Sequence, residues 1–242
     1  MDGDLSGGAP PRGRVCVFPD AEYDAAAARE VARLLTTAIG DRGVAAIALA
    51  GGATPESVYA HLAGHGAIRW ARVHVYFGDE RAVPPAHPDS NLRMARAALL
   101  DHVAIPPAQV FRMEADSPDL ETAAFAYERV LPDALDVIVL GIGADGHTAS
   151  LFPHAPALRE QTRRVVPVPR PPADHARLSV TPPVIRAARA RVVLARGPSK
   201  AGPVATALTG SYDPVECPAQ LARDGVWLLD QAAATGIRQE GA

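Results

Sequence analysis

Short apolar runs alternate along this chain with stretches of helical periodicity, and that alternation restricts the fold more than any other feature. Residues 15–18 form the first run. Asp20 can cap the helix that follows, in which Val31, Leu34, Leu35, Ala38 and Ile39 recur at helical spacing and Gly40 offers a stop. Residues 44–50 read as a buried strand ending in Gly51-Gly52-Ala53-Thr54-Pro55, with Thr54 as N-cap and Pro55 as first residue of the next helix. The unit recurs as a strand over 73–77, a Pro-rich loop and a helix over 90–102. Ser117-Pro118 opens another helix, with Leu120, Tyr127 and Leu131 on one side, and DVIVL at 136–140 is the strongest strand of the chain. Beyond Leu151 the runs shorten, to 165–166, 177–181 and 192–194, before a helix starting near Ser199-Lys200 and a last strand over 226–229. Strands separated by helices define an α/β fold with a largely parallel central sheet flanked by helices, and the short later strands define a smaller C-terminal lobe.

Composition narrows the function. The chain has 242 residues, ample for one sizeable core. We expect a disordered tail over 1–14, rich in Gly and Pro, and a single α/β domain over 15–242. With 24 basic against 27 acidic residues the net charge is −3, so no excess of positive charge drives nucleic-acid or anionic-membrane binding. Any anion must be gathered by a local cluster. No apolar run approaches a membrane span, and the N-terminus lacks the basic start and apolar core of a signal peptide, so a cytoplasmic protein is expected. Cys16 and Cys217 are too few for a disulfide framework or a Cys-rich zinc site. PVPRPP at 167–172 reads as a stiff connector.

In parallel α/β sheets ligands sit beyond the carboxyl ends of strands, and three such ends carry chemistry here. Gly51-Gly52-Ala53-Thr54 places backbone N–H groups and a hydroxyl at a helix N-terminus, which favours an anion. Asp79-Glu80-Arg81 follows the second of these strands; Arg81 is suited to bidentate binding of phosphate or carboxylate, and the two acids can orient it or a substrate hydroxyl. His147 follows the glycine loop of the third, with Asp145 two residues before it, and a neutral imidazole is a natural general base. The G-x-G-x-x-G match at 141–146 is not a dinucleotide site, because Pro153 and Pro156 break the helix that such a site needs. Neither a metal-binding spacing such as H-E-x-x-H nor a G-x-S-x-G nucleophile elbow is present, so neither a metal nor another cofactor is expected. Lys200 at a helix start opposes the helix dipole, which points to an anion as its partner.

The segments GGATPESVYAHLA, YFGDERAVPPAHPDSN, DVIVLGIGADGHTASLFP, RLSVTPPVIRAAR, LARGPSKA and CPAQLARDGVWLLD, in this order, resemble the 6-phosphogluconolactonase family from about residue 15 to 233. The resemblance implies a three-layer, Rossmann-like α/β sandwich. It also implies metal-free hydrolysis of 6-phospho-D-glucono-1,5-lactone to 6-phosphogluconate, a step of the oxidative pentose phosphate pathway, so that the 15–242 domain is catalytic. His147 falls on the family's proposed general base, with Asp145 or Asp79 to orient it. Thr54, Arg81 and Lys200 fall on positions resembling substrate or phosphate contacts; Gly51, Gly52, Ala53 and Arg177 complete the expected binding set. Two departures stand out: Ala53 replaces the family's usual Ser, and Gly202-Pro203 follows Lys200 where a smooth helix is expected, so Pro203 should weaken its first turns. The expected partner is a small sugar-phosphate lactone, and the chain is expected to be a monomer or small homo-oligomer. Two rivals are kept. A glucosamine-6-phosphate deaminase shares GGxTP and DGH but carries a carboxylate five residues after the histidine, where this chain has Phe152. A non-catalytic sugar-phosphate sensor should have lost the base, yet His147 is present.

Overall fold

The computed structural model describes residues 13–171 and 174–237. Its centre is a six-stranded sheet in the order β1-β9-β8-β5-β2-β3. The strands are β1 (Arg14–Phe18), β2 (Ala45–Leu49), β3 (Val73–Phe77), β5 (Val137–Gly141), β8 (Ala190–Ala195) and β9 (Val226–Asp230), and every neighbouring pair is parallel. Ile47, Ala48 and Leu49 are all buried, as are Val137, Ile138, Val139 and Leu140. Successive strand side chains point to opposite faces, so both faces of the sheet are covered. The helices that cover them are α1 (Tyr23–Arg42), α2 (Ala53–Ala63), α3 (Asn91–Ala98), α4 (Leu120–Val130), α5 (Pro182–Ala187) and α6 (Ala201–Thr209). The smaller lobe is a three-stranded antiparallel sheet, β4-β7-β6, built from β4 (Asp79–Arg81), β7 (Arg177–Val180) and β6 (Val165–Val168). The lobe therefore draws one strand from about a third of the way along the chain, and the late strands β8 and β9 return to the main sheet.

Several local expectations are corrected. Helix α1 runs through Gly40 and stops at Gly43, which takes the left-handed conformation (φ 80°) and donates its N–H to Ile39 O. Asp20 sits in a 3₁₀ turn before α1 and pairs with Arg196 instead of capping the helix. Helix α2 begins at Ala53 with Gly52 as N-cap, so Thr54 is its second residue and caps nothing. Helix α4 is capped by Asp119, whose carboxylate accepts from the N–H groups of Glu121 and Thr122, not by Ser117. Helix α3 is shorter than its periodicity predicts and passes into a 3₁₀ turn over Leu100–His102. Pro203 does not disturb α6: it is the helix's third residue, where a backbone N–H has no intrahelical partner to lose. Of the expected N-terminal tail, residues 1–12 lie outside the described residues, while Arg14 opens β1.

The topology fixes where a ligand can enter. The chain proceeds from β2 to β3 on one side, then crosses to β5 on the other side of β2. Register between β2 and β5 covers only Ile47↔Val137 and Ala48↔Ile138, so the two strands part toward their carboxyl ends. That is the switch point at which open α/β sheets bind ligands. Two buried tyrosines finish the strands there. Tyr59 Oη accepts from Ala50 N–H (2.8 Å) and Tyr127 Oη from Phe77 N–H (2.8 Å), satisfying backbone groups released where the ladder stops. Burial pushes both phenols well above their ordinary range.

Candidate active site

A cleft of about 290 Å³ opens at the switch point, lined by Gly51 and Gly52 after β2, Asp79 and Arg81 of β4, the 141–147 loop after β5, and Arg177 and Lys200. The turn after β2 depends on glycine. Gly52 has φ 102°, and a Cβ on Gly51 would fall 1.9 Å from Asn91 Oδ1. Asn91, 1% exposed, also receives Arg81 Nη1 on Oδ1 (2.6 Å) and donates Nδ2–H to Asp79 O (2.8 Å). One amide thus sets the distance between the glycine turn and β4.

The two acids of β4 are structural anchors. Glu80 is buried against the start of α3, where its carboxylate accepts from the N–H groups of Asn91 (2.8 Å) and Leu92 (2.9 Å) and from Arg81 N–H (2.8 Å). Burial raises its pKa; those N–H groups pull the other way without cancelling the rise. Asp79 accepts from Ser150 Oγ (2.6 Å) and Asn91 Nδ2 (3.3 Å), with Arg177 Nη1 at 4.0 Å. Both sit on a strand that the sequence presents as a charged loop.

The loop after β5 is wound around its histidine. Thr148 Oγ1 donates to Gly141 O, Gly143 N–H to His147 O, and Gly146 N–H to Gly143 O. Gly146 has φ 83°, and a Cβ there would press on Cys217 Sγ at 3.0 Å. His147 Nδ1 lies 2.6 Å from Asp145 Oδ1, which also accepts the His147 N–H at 3.1 Å. Burial pushes the Asp145 carboxyl up, but the hydrogen bonds and charge of His147 outweigh it and hold it below the usual carboxylate range. The imidazole also packs on Phe152, ring centroids 4.7 Å apart, and Arg170 stacks on the same phenyl ring at 3.9 Å.

The structure therefore brings together His147, Asp145, Asp79, Arg81, Arg177, Lys200, Gly51 and Gly52 at one cleft. Asp145, not Asp79, contacts the imidazole. Ala53 and Thr54 do not line this cleft, and α2 starts a residue earlier than the Thr-Pro cap implies. Ala53 instead borders an adjoining groove shared with Gly52, Arg81 and Asn91. The sequence carries no local signal for Asn91 and Ser150, although both lie inside the quoted segments, at DSN and TASLFP. Of the cleft's cations, Arg177 is paired with Asp174 (2.7 Å). Arg81 bonds to two neutral oxygens, Asp89 O and Asn91 Oδ1, and Lys200 has no ion pair among the described residues.

Fold and site together define a parallel α/β protein that sets a His–Asp pair beside uncompensated positive charge at its switch point. The sequence pattern of the glucosamine-6-phosphate isomerases/6-phosphogluconolactonase family matches residues 19–229, and the chain belongs to that family. A 6-phosphogluconolactonase of Mycobacterium tuberculosis is 41% identical to it over 242 aligned residues, 91% of this chain and 97% of that protein. The solved 6-phosphogluconolactonase of Trypanosoma brucei superposes with a TM-score of 0.83 at 29% identity, over 94% of this chain and 100% of that one. A monomeric glucosamine-6-phosphate deaminase superposes with a TM-score of 0.80 at 23% identity, over 92% and 99%, which shows the shared fold alone. Among the described residues no helix is long and apolar enough to cross a membrane.

Proposed function

We propose that this chain is a 6-phosphogluconolactonase, opening 6-phospho-D-glucono-1,5-lactone to 6-phosphogluconate with His147 as general base. The observation that carries this reading is the His147–Asp145 pair on a cation-lined cleft. With Nδ1–H donated to Asp145, the Nε2 lone pair is left to take a proton from water as it attacks the lactone carbonyl. The N–H groups of Gly143, Gly146 and His147 are engaged within the loop, so the developing oxyanion draws on the cleft's cations or on loop N–H groups not engaged this way. Arg81 and Lys200, which have no ion pair among the described residues, take the 6-phosphate dianion. The lactone is an activated ester, so one base plus positioning is a sufficient mechanism.

The same reading takes residues 15–242 as a single catalytic domain, working in the cytoplasm on a small sugar phosphate, without nucleic acid or membrane. Deamination is disfavoured by what touches the imidazole: the position of the deaminase carboxylate holds Phe152, whose ring is packed on His147. The test is to follow acid release from freshly prepared lactone and ammonia release from glucosamine 6-phosphate. Lactone turnover that falls by about 10²–10⁴ in His147→Ala, with no ammonia, supports the assignment. Enzymatic ammonia release, or wild-type turnover in that variant, rejects it.

A further inference from the structure

Among the described residues, the side chains of His87, Asp89 and His175 form a cluster whose ligand atoms all lie within 4.8 Å of one another. None of them takes part in the chemistry above. We propose that they form a binding site for a zinc-class divalent cation beside the groove that adjoins the cleft.

The spacing suits such an ion. His175 Nε2 is 3.2 Å and His87 Nδ1 3.7 Å from the same Asp89 Oδ2. Donors bound tetrahedrally at zinc distances of about 2.0–2.1 Å stand roughly 3.3–3.4 Å apart, so small side-chain rotations seat the ion. His87 Nδ1 accepts the Asp89 N–H at 3.1 Å, and among the described residues this is the one bond the ion displaces at that nitrogen.

The backbones carrying the ligands are fixed from two sides. His87 N–H donates to Pro84 O and His87 O accepts from Ser90 N–H, closing the turn that presents His87 and Asp89. Asp89 O receives Arg81 Nη1 at 2.9 Å. On the other side, Ala82 N–H donates to Ala176 O (2.7 Å), extending the β4·β7 ladder to the residue after His175. His175 itself has φ 43°, a left-handed conformation that is costly for a residue with a side chain, and its ring stands edge-on to His87 at 5.5 Å. Such strain persists where the surroundings over-determine it, and it concentrates at ligand sites.

The donor set selects the metal. Two imidazoles and one carboxylate favour zinc over the oxygen-seeking magnesium and calcium, and three protein ligands leave a position open for water. His87 and His175 are half-buried and Asp89 is exposed, so the ion exchanges with solvent. Because Asp89 O holds Arg81, the site is one residue removed from a cleft cation.

The test is calorimetric titration of the full chain with zinc chloride, and then of His87→Ala, His175→Asn and His147→Ala. Asn tolerates a left-handed backbone, so His175→Asn removes the donor and spares the turn. We expect saturable binding to the wild type, unaffected by excess magnesium. Loss of even an outer-shell partner weakens metal affinity 10–100-fold, so each ligand variant should weaken zinc by at least about tenfold while melting unchanged in metal-free buffer. His147→Ala should bind as the wild type does. No saturable binding to the wild type overturns the proposal. So does binding undiminished in both ligand variants, or binding lost in His147→Ala, which puts the ion on the His147–Asp145 pair.

Discussion

Replacing Gly143 by alanine tests whether the reaction depends on where the imidazole is held. A Cβ at this position would lie 2.1 Å from His147 Nδ1, 2.3 Å from its Cε1 and 2.6 Å from Asp145 Oδ1. Ordinary contact begins at 3.4 Å, so the ring must retreat by about 1.3 Å or the Asp145 hydrogen bond must open. No left-handed φ is involved, so backbone strain adds nothing. His147 lines a cleft that has room to receive its ring, and the Asp145 side chain is half exposed. The fold should therefore survive, at a cost within the roughly 1–3 kcal/mol of an overpacked site. Catalysis should not: a misplacement of about 1 Å costs on the order of 10² in rate. We expect kcat to fall by about that factor in Gly143→Ala, with KM for the lactone little changed. A cycle with His147→Ala isolates the cause. Once the ring is absent, Gly143→Ala should cost little further activity or stability, giving a coupling that accounts for most of the single-mutant loss. Near wild-type kcat in Gly143→Ala refutes the reasoning, as does a full additional loss in the His147→Ala background.

Three further outcomes follow from the site. Asp145→Asn keeps the shape but offers a donor to Nδ1 and loses one charged hydrogen bond of about 1.5–3 kcal/mol, so kcat should fall roughly 10- to 150-fold; unchanged kcat would show that Asp145 does not set the tautomer. Lys200→Ala removes a contact to a phosphate that is unchanged through the reaction, so KM should rise by roughly 10- to 150-fold with kcat reduced much less; a kcat collapse would put Lys200 at the carbonyl instead. Glu80 has a raised pKa, mainly from burial, so between the ordinary glutamate pKa and its folded value the native chain holds a proton that the unfolded chain releases. Its stability contribution is thus present at the low end of that window and lost as pH rises through it. The difference in unfolding free energy between wild type and Glu80→Gln should move against wild type over that interval, and a difference flat with pH rejects the assignment.

Strands β2, β3 and β5 are legible because they are buried on both faces and therefore read as unbroken apolar runs; the run at 73–77 coincides with β3. Helix ends were less so. Gly40 reads as the stop of α1, yet it is Gly43, in the left-handed conformation, that ends the helix. Strand β4 was the hardest element to see, since Asp79-Glu80-Arg81 reads as a solvated run. It is a strand because partners far away in sequence satisfy its charges: Ser150 for Asp79, the start of α3 for Glu80 and Asn91 for Arg81. A buried acid whose hydrogen bonds come from residues up to 71 positions away leaves no local mark.

The same limit explains which part of the site the sequence could locate. Strand-end logic pointed to the glycine turn, β4 and the His147 loop, because parallel topology alone requires their proximity. What it could not supply was the state of each charge. A net charge of −3 excludes a basic surface but says nothing of a cleft. Arg163, Arg177, Arg191 and Arg196 look the same in sequence as Arg81, yet each is matched to a carboxylate. Arg81 is turned instead onto a backbone carbonyl and an amide, both neutral. Neutral acceptors orient a guanidinium without spending its charge, whereas a carboxylate would orient it and cancel much of its attraction for a dianion. Asn91 is therefore the residue that lets an acidic protein keep a fixed positive charge in its cleft, and its value is visible only once Gly51, Asp79 and Arg81 surround it.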